Sequence, residues 1–330
     1  GQVAPAAGQP FFTFIGEGVP IWAIQGEGSR SPYTGSVLNT AGLVTGVFPE
    51  LGGFFIQETL SDAVLATSAG LFVLTPYTAA EDFDKYLAEV TTGSLVQVTG
   101  KVREPAQQTT LEVLGPQAVV VQSQGNALPQ PVALDPPASM AEALVYYETL
   151  EGMVVNLDSP AVAVSPISKY GEVVLVLEKH GQARVYQGED NGIMIMVDDG
   201  SSTTYTDGPQ LPIQVSTGDG VTGVEGPLAY TYGRYKVEPV RPLQVTPGAP
   251  TPQTLQPAAA DEVTLMTWNV ENLFDPLAPH PSDPPLPRPS EYQVHLDKVA
   301  STIEAAGFPI LIGLQEVENI RILNDLAAHP

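Results

Sequence analysis

Between Gly35 and Ser123 short apolar runs of strand length alternate with turns, and one helical stretch interrupts them at a single place. Leu43-Val-Thr-Gly-Val-Phe48 reads as a strand, Pro49 to Gly53 as a turn and Phe54-Phe-Ile-Gln57 as the returning strand. Leu71 to Leu74 follows. Ala80 to Val90 sets Phe83 and Leu87 on one side of a helix, and then come Leu95 to Val102, Thr110 to Leu114 and Ala118 to Gln122. Three strands, a helix and further strands form the order expected of an OB-fold barrel.

A weaker copy follows a proline-marked loop from Gly125 to Ser139. Glu151-Gly-Met-Val-Val155 repeats the pattern of Ala41-Gly-Leu-Val-Thr45, and Thr217-Gly-Asp-Gly-Val221 echoes Thr92-Gly-Ser-Leu-Val96. Gly192 to Gly200 stands where Gly53 to Glu58 stood, and Tyr230 to Pro239 fills a last hairpin. The order agrees and the spacings differ, which implies a duplicated barrel with an insertion around Ala161 to Asn191. Pro247 to Ala260 is rich in Pro, Ala, Thr and Gln and carries no charge, as a semi-extended linker does. The expected organisation is an N-terminal extension (1–34), OB-fold-like domains at 35–125 and 148–246, a Pro-rich linker (247–261) and part of a third domain (262–330). The expected fold class is multidomain and mainly β, two OB-fold-like barrels followed by an incomplete α/β segment of an α+β sandwich.

In that last segment two apolar runs each end in a polar motif. Val263-Thr-Leu-Met-Thr-Trp268 leads into Asn269-Val-Glu-Asn-Leu-Phe274, and Ile310-Leu-Ile-Gly-Leu314 leads into Gln315-Glu-Val-Glu-Asn319. Between them Ser290 to Ala306 reads as an amphipathic helix, with Ser290 and Gln293 as a capping box and Leu296, Val299, Ile303 and Ala306 on one face. Gly307 and Pro309 stop it. Strand, helix, strand implies a right-handed crossover and two parallel strands. Ligand-binding groups gather at the carboxyl ends of such strands, where Asn269 and Glu316 fall, an amide oxygen and a carboxylate suited to a hard cation.

At these residues the chain resembles the endonuclease/exonuclease/phosphatase superfamily, Mg²⁺-dependent phosphodiester hydrolases. The resemblance implies that Asn269 and Glu316 are catalytic and metal-site residues, with Mg²⁺, or Mn²⁺ or Ca²⁺, as the cofactor. The superfamily's Asp-x-Asn and Ser-Asp-His strings do not occur here, so this polypeptide alone is expected to be inactive or nearly so. Ile21-Trp-Ala-Ile-Gln-Gly26, Ser31-Pro-Tyr-Thr-Gly35, Gly42-Leu-Val-Thr-Gly-Val47 and Gly53-Phe-Phe-Ile-Gln57 resemble the N-terminal region of bacterial extracellular nucleases. Together the two resemblances imply a secreted, extracellular or cell-surface bacterial enzyme acting on nucleic acid, DNA rather than RNA. The alternative is a non-catalytic tandem OB-fold module for binding or surface scaffolding.

Charge bears on both readings. Thirteen Lys and Arg stand against 37 Asp and Glu, a net charge of −24 with no basic cluster. That argues against tight binding of a phosphate backbone by the protein surface itself, although a divalent cation can neutralise protein carboxylates and substrate phosphate together. Cysteine is absent, so thiolate sites and disulfides are excluded. No apolar run is long enough to span a membrane, and the small-residue start Gly1-Gln-Val-Ala-Pro is compatible with a processed N-terminus.

Other residues carry competing readings. Asn272 is expected to close a turn and Glu318 and Asn319 to start a helix from Ile320 to Ala328, while His280 and His295 invite a metal reading but are each expected to be a lone, solvent-facing side chain. Neither His180 nor His329 has the superfamily's histidine context. Phe54, Phe55, Tyr230, Tyr232 and Tyr235 offer faces for base stacking with Arg234 and Lys236 nearby, against the simpler reading as core packing. Asp198-Asp199-Gly200 is a hairpin turn first and a Ca²⁺ ligand second.

Overall fold

The computed structural model describes residues 18–58, 67–77, 80–182, 191–205, 213–248, 259, 261–277 and 285–330. The chain divides into two compact units, Gly1–Ala249 and Pro250–Pro330. The division falls within the expected linker, most of which lies outside the described residues.

The first barrel is built from α1 (Ile21–Gln25), β1 (Val37–Phe48), β2 (Gly53–Gln57), β3 (Gly70–Leu74), α2 (Ala80–Leu87), β4 (Leu95–Arg103), β5 (Thr110–Glu112) and β6 (Val119–Ser123). Strand β1 pairs antiparallel with β2 along its second half and with β4 along its first, and a bulge between Val44 and Gly46 accommodates the bend. Strand β3 runs parallel to β5, and the ladder closes as β1-β2-β3-β5-β4-β1. With α2 between β3 and β4, this is the OB-fold order. Phe54, Ile56, Val73, Phe83, Val96 and Val98 fill the core. Residues 18–34 are no separate extension: Ile21 and Ile24 are fully buried in the same core, because α1 presents both on one face.

The second barrel comprises β7 (Val132–Ala133), α3 (Met140–Glu148), β8 (Val154–Asn156), β9 (Ala161–Ala163), β10 (Val173–Leu177), β11 (Ile195–Val197), β12 (Gly220–Thr222), β13 (Glu225–Thr231), β14 (Arg234–Val237) and β15 (Gln244–Thr246). Here β8 and β9 act as one strand bent at 157–160, and β12 and β13 as another bent at Gly223. Strand β8 pairs with β13 and β9 with β12, while β10, β11 and β14 complete the circuit, β11 and β14 being parallel. The OB order therefore recurs, with two corrections to the sequence reading. Strand β10 is the second strand and lies inside the expected insertion, and β11 takes the place of β3 rather than β2. Glycine followed by an apolar run fits either position, so the motif alone could not choose. The barrel also starts earlier than residue 148, since Leu134, Ala143 and Tyr147 lie in its core.

The two barrels interlock within one unit. Phe48, Phe55 and Phe72 of the first pack with Ala229 of the second. Gln57 Oε1 accepts from the Val154 amide at 2.8 Å, and Ser68 Oγ donates to the Glu151 carbonyl. Gly70 and Gly152 cross so closely that a Cβ on Gly70 would lie 2.0 Å from the Gly152 carbonyl carbon, leaving room for glycine alone.

The second unit contains β16 (Leu265–Leu273), α4 (Pro289–Ala305), β17 (Leu311–Val317) and α5 (Ile320–Ala327). Strands β16 and β17 are parallel and joined through α4. Val270, Leu273, Leu296, Val299 and Ile322 form the core, with Trp268, Ile303 and Leu314 against it. The helix starts one turn position earlier than expected. Pro289 occupies the first position, and the Arg288 amide, not that of Ser290, donates to the capping carboxylate of Glu291 at 2.8 Å.

Candidate functional site

The crossover brings the two motif residues into contact. Asn269 Nδ2 donates to Glu316 Oε1 at 2.7 Å, and the Asn272 amide donates to Glu316 Oε2 at 3.0 Å. The Glu271 amide in turn donates to Asn269 Oδ1 at 2.9 Å. The ladder explains how. Asn269 pairs with Gln315 and Leu273 with Val317, so four steps along β16 match two along β17. The extra residues are absorbed by left-handed backbone at Glu271 (φ 55°) and Asn272 (φ 54°), opposite Glu316 (φ 63°). Such conformations cost on the order of 1 kcal/mol each outside glycine and concentrate at functional sites.

Each Glu316 oxygen accepts one hydrogen bond and keeps further acceptor capacity, and both residues are exposed. One carboxylate and one amide suit Mg²⁺, which is held through few protein ligands and several waters. They supply two donors: among the described residues no group of three or more His, Cys, Asp or Glu gathers to hold a metal ion.

The neighbouring polar residues are structural. Asn319 caps α5, accepting from the Arg321 and Ile322 amides at 2.9 and 3.2 Å, and Glu318 Oε2 accepts from the Asp275 amide at 3.0 Å. Asp275, buried, binds Asn319 Nδ2 at 2.9 Å and the Arg321 guanidinium. Although burial opposes it, these bonds hold the Asp275 carboxyl below its ordinary range. His295 is not the lone, solvent-facing side chain expected: it is half-buried and meets the Val270 carbonyl at 3.0 Å, next to Asn269. His329 pairs with Asp297 at 2.7 Å and His180 is exposed in a turn, whereas His280 lies outside the described residues.

The barrel residues sort differently from the stacking expectation. Phe54 is core and Phe55 is buried between the barrels. Tyr235 stacks on Tyr147 and donates to Glu148 Oε2 at 2.5 Å, with Tyr230 against its ring. Tyr232 alone of the five is fully presented, 91% exposed on the β13–β14 turn. Lys236 is buried rather than available to phosphate, bonded to Glu172 and, at 3.1 Å, to Asp198. Burial alone would lower its ammonium; the two carboxylates more than offset this and the net shift is upward. Asp199 closes its own turn, accepting from the Ser201 amide at 2.9 Å and from Tyr205 at 2.6 Å. The Asp198-Asp199 pair is thus engaged by Lys236 and by its own turn. Glu151, Gln108 and Glu238 were not singled out in the sequence, and all three are buried where the barrels meet.

No helix among the described residues is long and apolar enough to cross a membrane. A family described as a domain of unknown function (DUF8508) matches residues 98–247, from within β4 to the end of β15 and just under half of the chain. No curated protein matches. Among solved structures the chain is similar to the p204 HINb domain (8% identity, TM-score 0.26) and to the Ifi202 HINa domain, described in complex with 20-bp double-stranded DNA (10% identity, TM-score 0.25). Each likeness covers 63% of this chain and 95% of the other. The barrel assignment rests on the strand pairings, which stand without them.

Proposed function

We propose that the chain couples a tandem-barrel binding module to the opening strands of a Mg²⁺-dependent phosphodiester hydrolase acting on nucleic acid, DNA in preference to RNA. The observation that supports it is the Asn269–Glu316 pair, held at the carboxyl edge of two parallel strands by three left-handed residues. The open face of that sheet adds support. Leu265 and Leu311 on it are each 64% exposed, whereas parallel sheets are ordinarily covered on both faces. A bound Mg²⁺ would neutralise phosphate charge and activate water; Glu316 would hold the ion, and Asn269 would orient Glu316 and a metal-bound water. In this reading the protein acts outside the cell.

A second reading, a non-catalytic tandem-barrel binding module, is favoured by the completeness of both barrels and by the two-donor limit of the metal site. The described residues equip binding better than catalysis. Titration of the chain with Mn²⁺, followed by paramagnetic broadening of the Asn269 side-chain amide signals, separates the two. Broadening that Glu316→Gln abolishes supports the hydrolase reading. Unbroadened Asn269 signals at about 10 mM Mn²⁺, weaker than any working metal site, would leave the binding module alone.

A further inference from the structure

A cleft of about 720 Å³ opens between the two barrels, walled by Phe55 and Phe72 of the first and by residues of β13 and β14 of the second. Two of its lining side chains carry buried polar atoms that have no partner among the described residues, Gln108 Nε2 and Glu238 Oε2. Gln108 is 6% exposed and Glu238 1%. Native proteins rarely leave such atoms unmet, so each calls for a partner from outside the chain, a water, an ion or a ligand.

The chemistry of that occupant is constrained from several sides. Gln108 Nε2 can only donate, so the occupant must accept there. Burial first, and then the Asp198 charge, hold the Glu238 carboxyl well above the ordinary range, so its oxygen can either donate or accept. A hydroxyl satisfies both atoms whatever the protonation state, since it donates and accepts at once. An ammonium or guanidinium would leave Gln108 unmet. A phosphate would meet Gln108 and Arg234 but face Glu50, Glu172 and Asp198 across the same cleft, and Lys236 is already held by two of these carboxylates. At the mouth Tyr232 and Tyr170 are 91% and 48% exposed; the Lys236 and Lys169 ammoniums lie 5.5 and 5.1 Å from their ring centroids, so each ring has one face left for the apolar face of a sugar.

We propose that this cleft binds a neutral polyhydroxylated ligand, a sugar residue of an oligosaccharide, through Gln108 and Glu238 with Tyr232 as its stacking platform. The site lies wholly within the first unit and does not depend on the hydrolase reading.

The test is calorimetric titration of the full chain with maltotriose, cellotriose, xylotriose and chitotriose. At least one should bind one-to-one with a Kd on the order of 10⁻⁴ to 10⁻³ M. Gln108→Met, which keeps volume and loses the donor, should weaken it by about tenfold. Tyr232→Ala, at an exposed turn position, should weaken it to a similar degree, with thermal melting confirming that both variants fold. Three results would each overturn the proposal. One is no heat from any of the four sugars at about 10 mM. Another is binding unchanged in both variants. The third is displacement of the sugar by a short oligodeoxythymidine, which would make the cleft a phosphate site.

Discussion

Replacing Glu151 by Gln should stabilise the tandem-barrel unit in alkaline solution and leave it unchanged in acid. Glu151 is 2% exposed at the barrel junction, where Oε1 accepts from the Thr109 amide at 2.9 Å. Burial, with the Glu148 charge adding to it, raises its carboxyl from 4.5 to about 8. Between those two values the folded chain binds one more proton than the unfolded chain. Stability is therefore fully present below the unfolded value and falls by about 1.4 kcal/mol per pH unit as pH rises. The whole interval amounts to about 5 kcal/mol, a large share of a domain's net stability. Glu151→Gln removes the titration and retains both the volume and an oxygen for Thr109. The variant should exceed the parent by roughly 4 kcal/mol more near pH 9 than near pH 5. Urea unfolding followed by circular dichroism at both pH values measures the difference. A variant-minus-parent difference that changes by less than about 1 kcal/mol would refute the reasoning, because Glu151 would then ionise in the folded state as freely as in the unfolded one.

Lys236→Met should destabilise the same unit by about 3–5 kcal/mol, since it strands Glu172 and Asp198 beside buried Glu238; a melting temperature within error of the parent would contradict this. Asn319→Ala removes the α5 cap and a bond to buried Asp275, and should cost the second unit about 1–2 kcal/mol in chemical denaturation. Single-stranded DNA should bind the chain with a Kd no tighter than roughly 10⁻⁵ M at physiological salt, because ten basic residues face twenty-six acidic ones before Asp261 and Lys236 is committed. Submicromolar anisotropy binding with a steep salt dependence would reveal a basic groove that these contacts deny.

The first barrel was legible almost strand by strand because glycine and proline punctuate it and its strands are long enough to show their pattern. Strand β4 alternates half-buried and buried along most of its nine residues, which is the period that sequence reading detects. The second barrel hides the same topology. Its first and fourth strands are each broken in two, and β8, β9, β11 and β12 have three residues apiece, too few to display a period. Helix α3 escaped for another reason. Leu144 and Val145 are 45% and 68% exposed, so apolar residues sit on its solvent face and blur the stripe that marks an amphipathic helix.

The meeting of Asn269 and Glu316 was legible because a right-handed crossover fixes which strand ends lie side by side. The bulge that turns them toward each other was not, because local preference argues against left-handed backbone at Glu271 and Glu316. Only the closed network of hydrogen bonds around the Glu316 carboxylate makes that conformation worth its cost, and the network spans more than forty residues of chain. The cleft between the barrels poses the same problem more sharply. Lys236 and Glu238 alternate with Tyr235 and Val237, which in isolation describes a strand with one wet face and one dry face. That reading is right for β14 alone. Both residues are instead buried, Lys236 held by Glu172 and Asp198 and Glu238 sharing a cleft with Phe55 and Phe72. The signal that would have found the site is therefore a pair of facts no single strand contains: charged residues on an outer face of the second barrel, and a first barrel whose own outer face offers Phe55 and Phe72 to cover them.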